Sequence, residues 1–190
     1  MHHFIFLLLF SSLASATSKP SLLVNAAIER TTHQVTYDGR YIRLKYPMGD
    51  VPNNIGVCSD VVIRSYRAIG IDLQKRLHED MKRAFNKYPN HWGLKKTDSN
   101  IDHRRVPNLR VFFTRKNASI PISNNANNFI PGDLVSWKLN GRLPHIGIVI
   151  NKKSTDKKRY LIVHNIGTGP QIEDVLFEYK MTGHYRYFGD

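Results

Sequence analysis

Apolar residues recur every three or four positions through the first part of the chain, and every second position or in short unbroken runs after Asn117. The first spacing predicts helices. Leu22, Leu23, Ala26, Ala27 and Ile28 make one stripe over 21–34; Val61, Val62, Tyr66 and Ile69 make another from Cys58, with Gly70 as its C-cap. Leu73, Leu77, Met81, Ala84 and Phe85 line a third helix that starts at Asp72 and ends by Pro89, and Pro107 opens a fourth carrying Leu109, Val111, Phe112 and Phe113. Between the first two, Tyr37-Asp38-Gly39-Arg40 and Pro47-Met48-Gly49-Asp50 carry turn chemistry, which predicts loop or short strands over 37–52. An Asn-rich loop follows over 117–128. Strands are then predicted at 133–139, 145–150, 160–164 and 175–179, with a short last run at 185–188. Helices first and strands afterwards predict an α+β fold whose helices pack on a C-terminal antiparallel sheet.

Residues 4–10 hold no polar side chain and give way to Ala14-Ser15-Ala16, the small-residue pattern of a leader cleavage site. Residues 1–16 therefore read as a signal peptide cut near Thr17, and the protein as exported, to a periplasm or the extracellular space. The apolar run is short of the roughly 20 residues that span a bilayer, so no stable membrane insertion is expected once it is removed. His2 and His3 stand where Lys or Arg is usual, which leaves an uncleaved anchor as the alternative. Residues 17–190 suit one domain with a single core.

The 28 Lys and Arg outnumber the 15 Asp and Glu, giving a formal charge of +13 that attracts polyanions. These residues are spread along the chain with no arginine-rich tract or nucleic-acid motif, so nucleic acid is not the expected partner. An anionic cell-wall polymer is, with the protein acting as a monomer.

Cys58 is the only cysteine, so it has no internal disulfide partner. It opens the second predicted helix, where the macrodipole and free N–H groups favour thiolate and predict a lowered pKa. His145 heads an apolar strand after Pro144, and His164 lies on the next strand. Cys58, His145 and His164 therefore come in the order of a nucleophile, its base and a residue that orients the base. Asn165 falls on the opposite strand face from His164. The Cys58 N–H is the expected first oxyanion donor. Asp102, His103, Arg104 and Arg105 belong to a charged segment that reads either as a carboxylate clamp or as an ion-paired loop, and Asp60 is similarly ambiguous. No H-E-x-x-H, C-x-x-C or nucleotide-binding glycine loop occurs, so neither metal nor cofactor is expected.

Gly-Val-Cys-Ser-Asp-Val-Val at 56–62, Pro-Gly-Asp-Leu-Val at 131–135 and His-Ile-Gly-Ile-Val at 145–149 resemble the NlpC/P60 branch of papain-like cysteine peptidases. More closely, Gly-Val-Cys-Ser-Asp-Val-Val-Ile-Arg, Gly-Ile-Asp-Leu-Gln, Asn-Ile-Asp-His-Arg-Arg-Val-Pro-Asn-Leu and Pro-Gly-Asp-Leu-Val-Ser-Trp are similar to the DUF1287 family of exported bacterial proteins. Two features depart from the NlpC/P60 pattern: Val57 and Asp60 flank the cysteine where Asp and Gly are usual, and 19 residues separate His145 from His164, with a hairpin over 152–158 taking up the excess.

The resemblance implies a papain-like fold and hydrolysis of peptidoglycan stem peptides through a Cys58/His145/His164 triad. It also implies a tyrosine beside the oxyanion site, for which Tyr46 is the candidate. The alternatives are a non-catalytic wall-binding protein on the same scaffold, and an acyltransferase or lipid-active hydrolase using the same triad.

Overall fold

The computed structural model describes residues 17–189, so the expected leader at 1–16 lies outside the described residues. Four α-helices precede a six-stranded sheet, and the α+β expectation holds. Helix α1 (Lys19–Arg30) starts on the Ser18 hydroxyl and buries Leu23, Val24 and Ala27. It stops short of residue 34, because the hydroxyls of Thr31 and Thr32 bond back to the carbonyls of Ile28 and Glu29. Helix α2 (Cys58–Ala68) is the middle of the molecule, buried from Cys58 through Tyr66 between α1 and the sheet. The Asp72 carboxylate caps α3 (Leu73–Arg83) by accepting from the N–H groups of Gln74 and Lys75. Pro107 sits in the first turn of α4 (Val106–Arg115), where its missing N–H costs nothing.

The strands are β1 (Thr36–Tyr37), β2 (Ile55–Gly56), β3 (Ser119–Ile120), β4 (Leu134–Leu139), β5 (Leu143–Lys153), β6 (Tyr160–Asn165), β7 (Pro170–Glu173) and β8 (Lys180–Tyr185). The pair β1–β2 is parallel and separate; the large sheet runs β3-β8-β4-β5-β6-β7, antiparallel throughout. Side-chain alternation gives the sheet two buried faces. Leu134, Ile146, Ile148, Ile150 and Val163 pack against the helices, while Val135, Trp137, Val149 and Ile162 face a second, smaller core.

Two predicted strands fall elsewhere. Residues 175–179 form no strand: Leu176 fills the second core and its carbonyl accepts the Trp137 indole N–H at 3.1 Å. The strand before it is β7, at the sheet edge. The last strand ends at Tyr185 instead of starting there, and Tyr187 turns inward so that its carbonyl accepts the Tyr66 hydroxyl at 2.7 Å. Both runs are apolar because they are buried, and burial alone does not specify pairing.

Phe112 is fully buried and meets Phe113 and Tyr187 edge-on at 5.5 and 5.6 Å between ring centroids. Phe112→Ala is expected to destabilise the fold by about 3–5 kcal/mol, read as a lower urea midpoint with unchanged native circular dichroism.

Candidate active site

The first turn of α2 is built around two side chains. Val57, the N-cap residue, has no side-chain acceptor, and Asp60 supplies the missing contact by accepting the Val57 N–H at 2.7 Å. The same carboxylate takes a forked pair of bonds from Arg104, 2.8 Å from Nε and 2.9 Å from Nη2. Arg104 then donates to the carbonyls of Arg40 and Asp38, and the Ser59 hydroxyl donates to the Arg104 carbonyl at 2.7 Å. Asp60 and Arg104 are both buried. The helix start, the 38–40 loop and the 3₁₀ turn at Asp102–Arg104 are thus one unit, and Cys58 is held in the first turn of α2.

Cys58 is 4 % exposed. Burial pushes its thiol up to about 12, and the Asp60 charge adds to that; the N–H groups of Ile146, Ser59 and Cys58 itself pull the other way and lose. The expected lowered pKa is therefore corrected. A helix terminus contributes at most ~2 kcal/mol, whereas full burial can move a pKa by ~3–5 units at about 1.4 kcal/mol each. His145, 2 % exposed, is pushed down to about 3 by burial, with His164 acting in the same direction. Near neutral pH both groups are uncharged, and the proton rests on sulfur.

The sulfur meets β5 at the Ile146 backbone N–H, one residue past the imidazole. The regular β5–β6 register runs Ile148↔Val163 and Val149↔Ile162, so Ile146 lies just beyond it. Alternation turns His145 toward Trp137, its cross-strand neighbour, with ring centroids 6.0 Å apart, on the second-core face of the sheet and away from the helix face that carries Cys58. Among the described residues no hydrogen bond joins the two, so the expected contact between nucleophile and base is not formed. His145 Nε2 bonds His164 Nδ1 at 2.8 Å, the contact expected of the orienting residue. Gly147 permits this close approach, since a Cβ there would sit 2.6 Å from Ile162 Cγ2 and 3.1 Å from His164 Cβ. Asn165 faces the other way, its amide 3.4 Å from the Gly56 carbonyl, as alternation requires.

Two residues at this site were not anticipated. Glu173, on β7, places a carboxylate oxygen 2.6 Å from His164 Nε2, off the line of the N–H. Tyr37, on β1, lies close enough to Cys58 to feel its charge. It pairs with Gly56 through β1–β2, and burial raises its hydroxyl to about 12, with the charges of Cys58 and Asp60 adding to the rise. Tyr46 instead packs edge-on against His78 at 4.9 Å. Tyr37-Asp38-Gly39-Arg40 stood out only as turn chemistry, because the parallel pairing that carries Tyr37 to the cysteine is non-local.

The charged segment after Asp98 resolves mainly as an ion-paired loop, the second of the two readings its sequence left open, and Asp102, His103 and Arg104 are buried in it. Asp102 is fully buried, accepts the Asp98 N–H and lies 3.3 Å from Arg105; burial holds its carboxyl above the usual range. His103 is 2 % exposed, pushed down to about 3 by burial, and its Nδ1 has no partner. Asp60 and Arg104 are consumed by each other. Arg105 alone opens outward, stacked on Trp92 at 4.0 Å and lining a cleft of about 380 Å³ with Tyr41 and Val57. A larger cleft, about 760 Å³, lies between α4 and the β4–β5 hairpin and touches the histidine side only through Trp137 and Pro144. Among the described residues, no three His, Cys, Asp or Glu side chains group as a metal site would need.

Fold and site define an α+β protein in which a buried thiol at a helix start abuts the strand carrying a bonded histidine pair. The chain belongs to the family described as "Domain of unknown function (DUF1287)", which matches residues 24–187 and so takes in Tyr37, Cys58, His145, His164 and Glu173. It is similar to the "Uncharacterized protein YijF" of Escherichia coli (strain K12), at 50% identity over 166 residues that cover 87% of this chain and 80% of the relative.

Removing one partner of the buried pair strands the other charge, so Arg104→Ala is expected to cost about 3–5 kcal/mol by urea unfolding. The shifted groups also set a pH profile. His145 and His103 stay neutral in the fold down to about 3, while the unfolded chain binds their protons below about 6.5, so stability falls as pH drops through that window. The Cys58 thiol stays protonated up to about 12 in the fold but ionises near 9.0 when unfolded, so it costs stability above pH ~9. Cys58→Ala is expected to gain in urea midpoint relative to wild type between pH 8 and 11; a relative loss would mean that the fold favours thiolate.

Proposed function

We propose that the protein is an exported cysteine hydrolase on a papain-like, NlpC/P60-type fold, cleaving amide bonds in peptidoglycan stem peptides. The observation that carries this reading is the thiol at the start of α2, lying under three backbone N–H groups against the strand that presents the His145–His164 pair. Its Cys, His, His order follows the resemblance, and the +13 charge draws the protein to an anionic wall.

In this mechanism the thiol proton passes to His145 as sulfur attacks the scissile carbonyl carbon. The transfer requires the ring, which rests on the Trp137 face of β5 without a bond to Cys58, to come within reach of the sulfur when substrate binds. Transfer and attack are coupled, because both groups start neutral. The tetrahedral oxyanion is met by the Cys58 N–H, with the Tyr37 hydroxyl as a second donor. The protonated imidazole gives its proton to the leaving amine as the C–N bond breaks, leaving a thioester on Cys58. Water, deprotonated by His145, then attacks the thioester, and the sulfur leaves as thiol with the acid product released. Arg105, on its Trp92 platform, holds a substrate carboxylate in the cleft that reaches Val57.

A second reading has its own support: a thiol 4 % exposed and raised to about 12 also suits a wall-binding protein on a retired peptidase scaffold. Mass spectrometry of purified peptidoglycan separates the two. Wild type should release new peptide termini, and Cys58→Ala and His145→Ala should slow this by at least about 10³-fold while staying folded. Identical fragment patterns from wild type and Cys58→Ala, together with retained wall binding, would favour the binder. Acyl groups moved to an acceptor other than water would reassign the reaction to acyl transfer.

A further inference from the structure

Two neutral imidazoles bonded nitrogen to nitrogen share a single proton in that bond, and which ring owns it decides where the remaining lone pair lies. His145 and His164 are such a pair, joined at 2.8 Å from Nε2 to Nδ1 and both buried. Burial lowers the pKa of each, so both rings are neutral near pH 7.

If His164 owns the shared proton, on Nδ1, then His145 carries its own on Nδ1 and has no lone pair for the thiol. If His145 owns it, on Nε2, then His145 Nδ1 is bare. Nothing within the pair chooses between these states.

Glu173 does choose. Its carboxylate lies 2.6 Å from His164 Nε2, off the line of the N–H so that it acts through its charge, and is reached diagonally across β6–β7, where Glu173 pairs with Ile162, two residues before His164. An ionised carboxylate only accepts, so a proton on His164 Nε2 is favoured there. A neutral His164 protonated at Nε2 has a bare Nδ1, which accepts from His145 Nε2–H. We propose that Glu173 is a positioning residue that fixes both histidines in their Nε2–H tautomers and so keeps the lone pair of His145 on Nδ1, the nitrogen not engaged by His164.

The catalytic consequence rests on the hydrolase reading; the tautomers do not. When His145 gains a proton at Nδ1, the new positive charge faces a chain of acceptors that ends at Glu173. The arrangement needs no proton on Glu173 at any step.

Long-range ¹H–¹⁵N spectra of protein labelled at histidine read each ring nitrogen as protonated or bare. Wild type at pH 7 should show His145 and His164 both protonated at Nε2. Glu173→Ala should move His145 to the Nδ1–H form or to a mixture, and Glu173→Gln, whose amide oxygen still accepts, should retain the wild-type pattern. Wild-type His145 protonated at Nδ1, or unchanged tautomers in folded Glu173→Ala, would overturn the proposal. The wild-type spectrum tests it even if the alanine variant does not fold. On peptidoglycan, Glu173→Ala should lower kcat by about 10²-fold or more with KM little changed, as for a base held in the wrong tautomer. Wild-type tautomers as stated, in a protein that cuts no peptidoglycan, would count against the hydrolase reading and leave this assignment standing.

Discussion

The buried ion pair between Asp60 and Arg104 is the constraint from which the rest of the site follows. A forked Arg–carboxylate contact fixes orientation as well as distance. Here the Asp60 carboxylate also accepts the N–H at the start of α2, while the guanidinium reaches two carbonyls of the 38–40 loop. One interaction therefore sets where the middle helix begins, where the loop carrying Tyr37 returns, and how the turn at Asp102–Arg104 docks. Such a pair is not a cheap source of stability, because desolvating two charges offsets much of their attraction. What it supplies is a definite position for Cys58.

The same burial that makes the position definite removes the charge from the chemistry. A thiol at a helix start is ordinarily read as an activated one, yet at Cys58 burial outweighs three facing N–H groups, and at His145 burial keeps the ring neutral. At rest the thiol and the imidazole are therefore both neutral. Asp50, Asp60, Asp80 and Asp133 are each bonded to arginine, which removes charges in equal number and leaves the excess of 28 Lys and Arg over 15 Asp and Glu unchanged. On the proposed hydrolase reading, a net positive charge would draw in an anionic polymer while the uncharged groups at Cys58 and His145 stay shielded from water.

The helices and the order of the main strands were legible in the sequence because their signals are local. Val61, Val62 and Tyr66 repeat at helical spacing, and Ile146, Ile148 and Ile150 at strand spacing. Cys58, His145 and His164 were legible for the same reason, each sitting at the edge of a periodic run. Three things were not. Pro170-Gln171-Ile172-Glu173 is a polar edge strand with one core contact, so β7 was passed over, and Glu173 with it. Leu176 and Tyr185 are apolar because they plug cores, and they drew strand predictions away from the true pairings. Tyr37 reaches the cysteine through parallel pairing with a segment almost twenty residues on, which no local pattern encodes. The pKa of Cys58 was misjudged for a related reason, since the helix terminus is visible in sequence and the depth of burial is not.

The proposed hydrolysis requires Cys58 to form a bond to carbonyl carbon with the help of His145. Intact-protein mass spectrometry during reaction with a purified disaccharide-peptide fragment tests this most directly. Wild type should transiently gain the mass of the acyl portion on Cys58, and folded His145→Ala should gain none. Fragments released with no adduct at any time, or an equal adduct in His145→Ala, would contradict it.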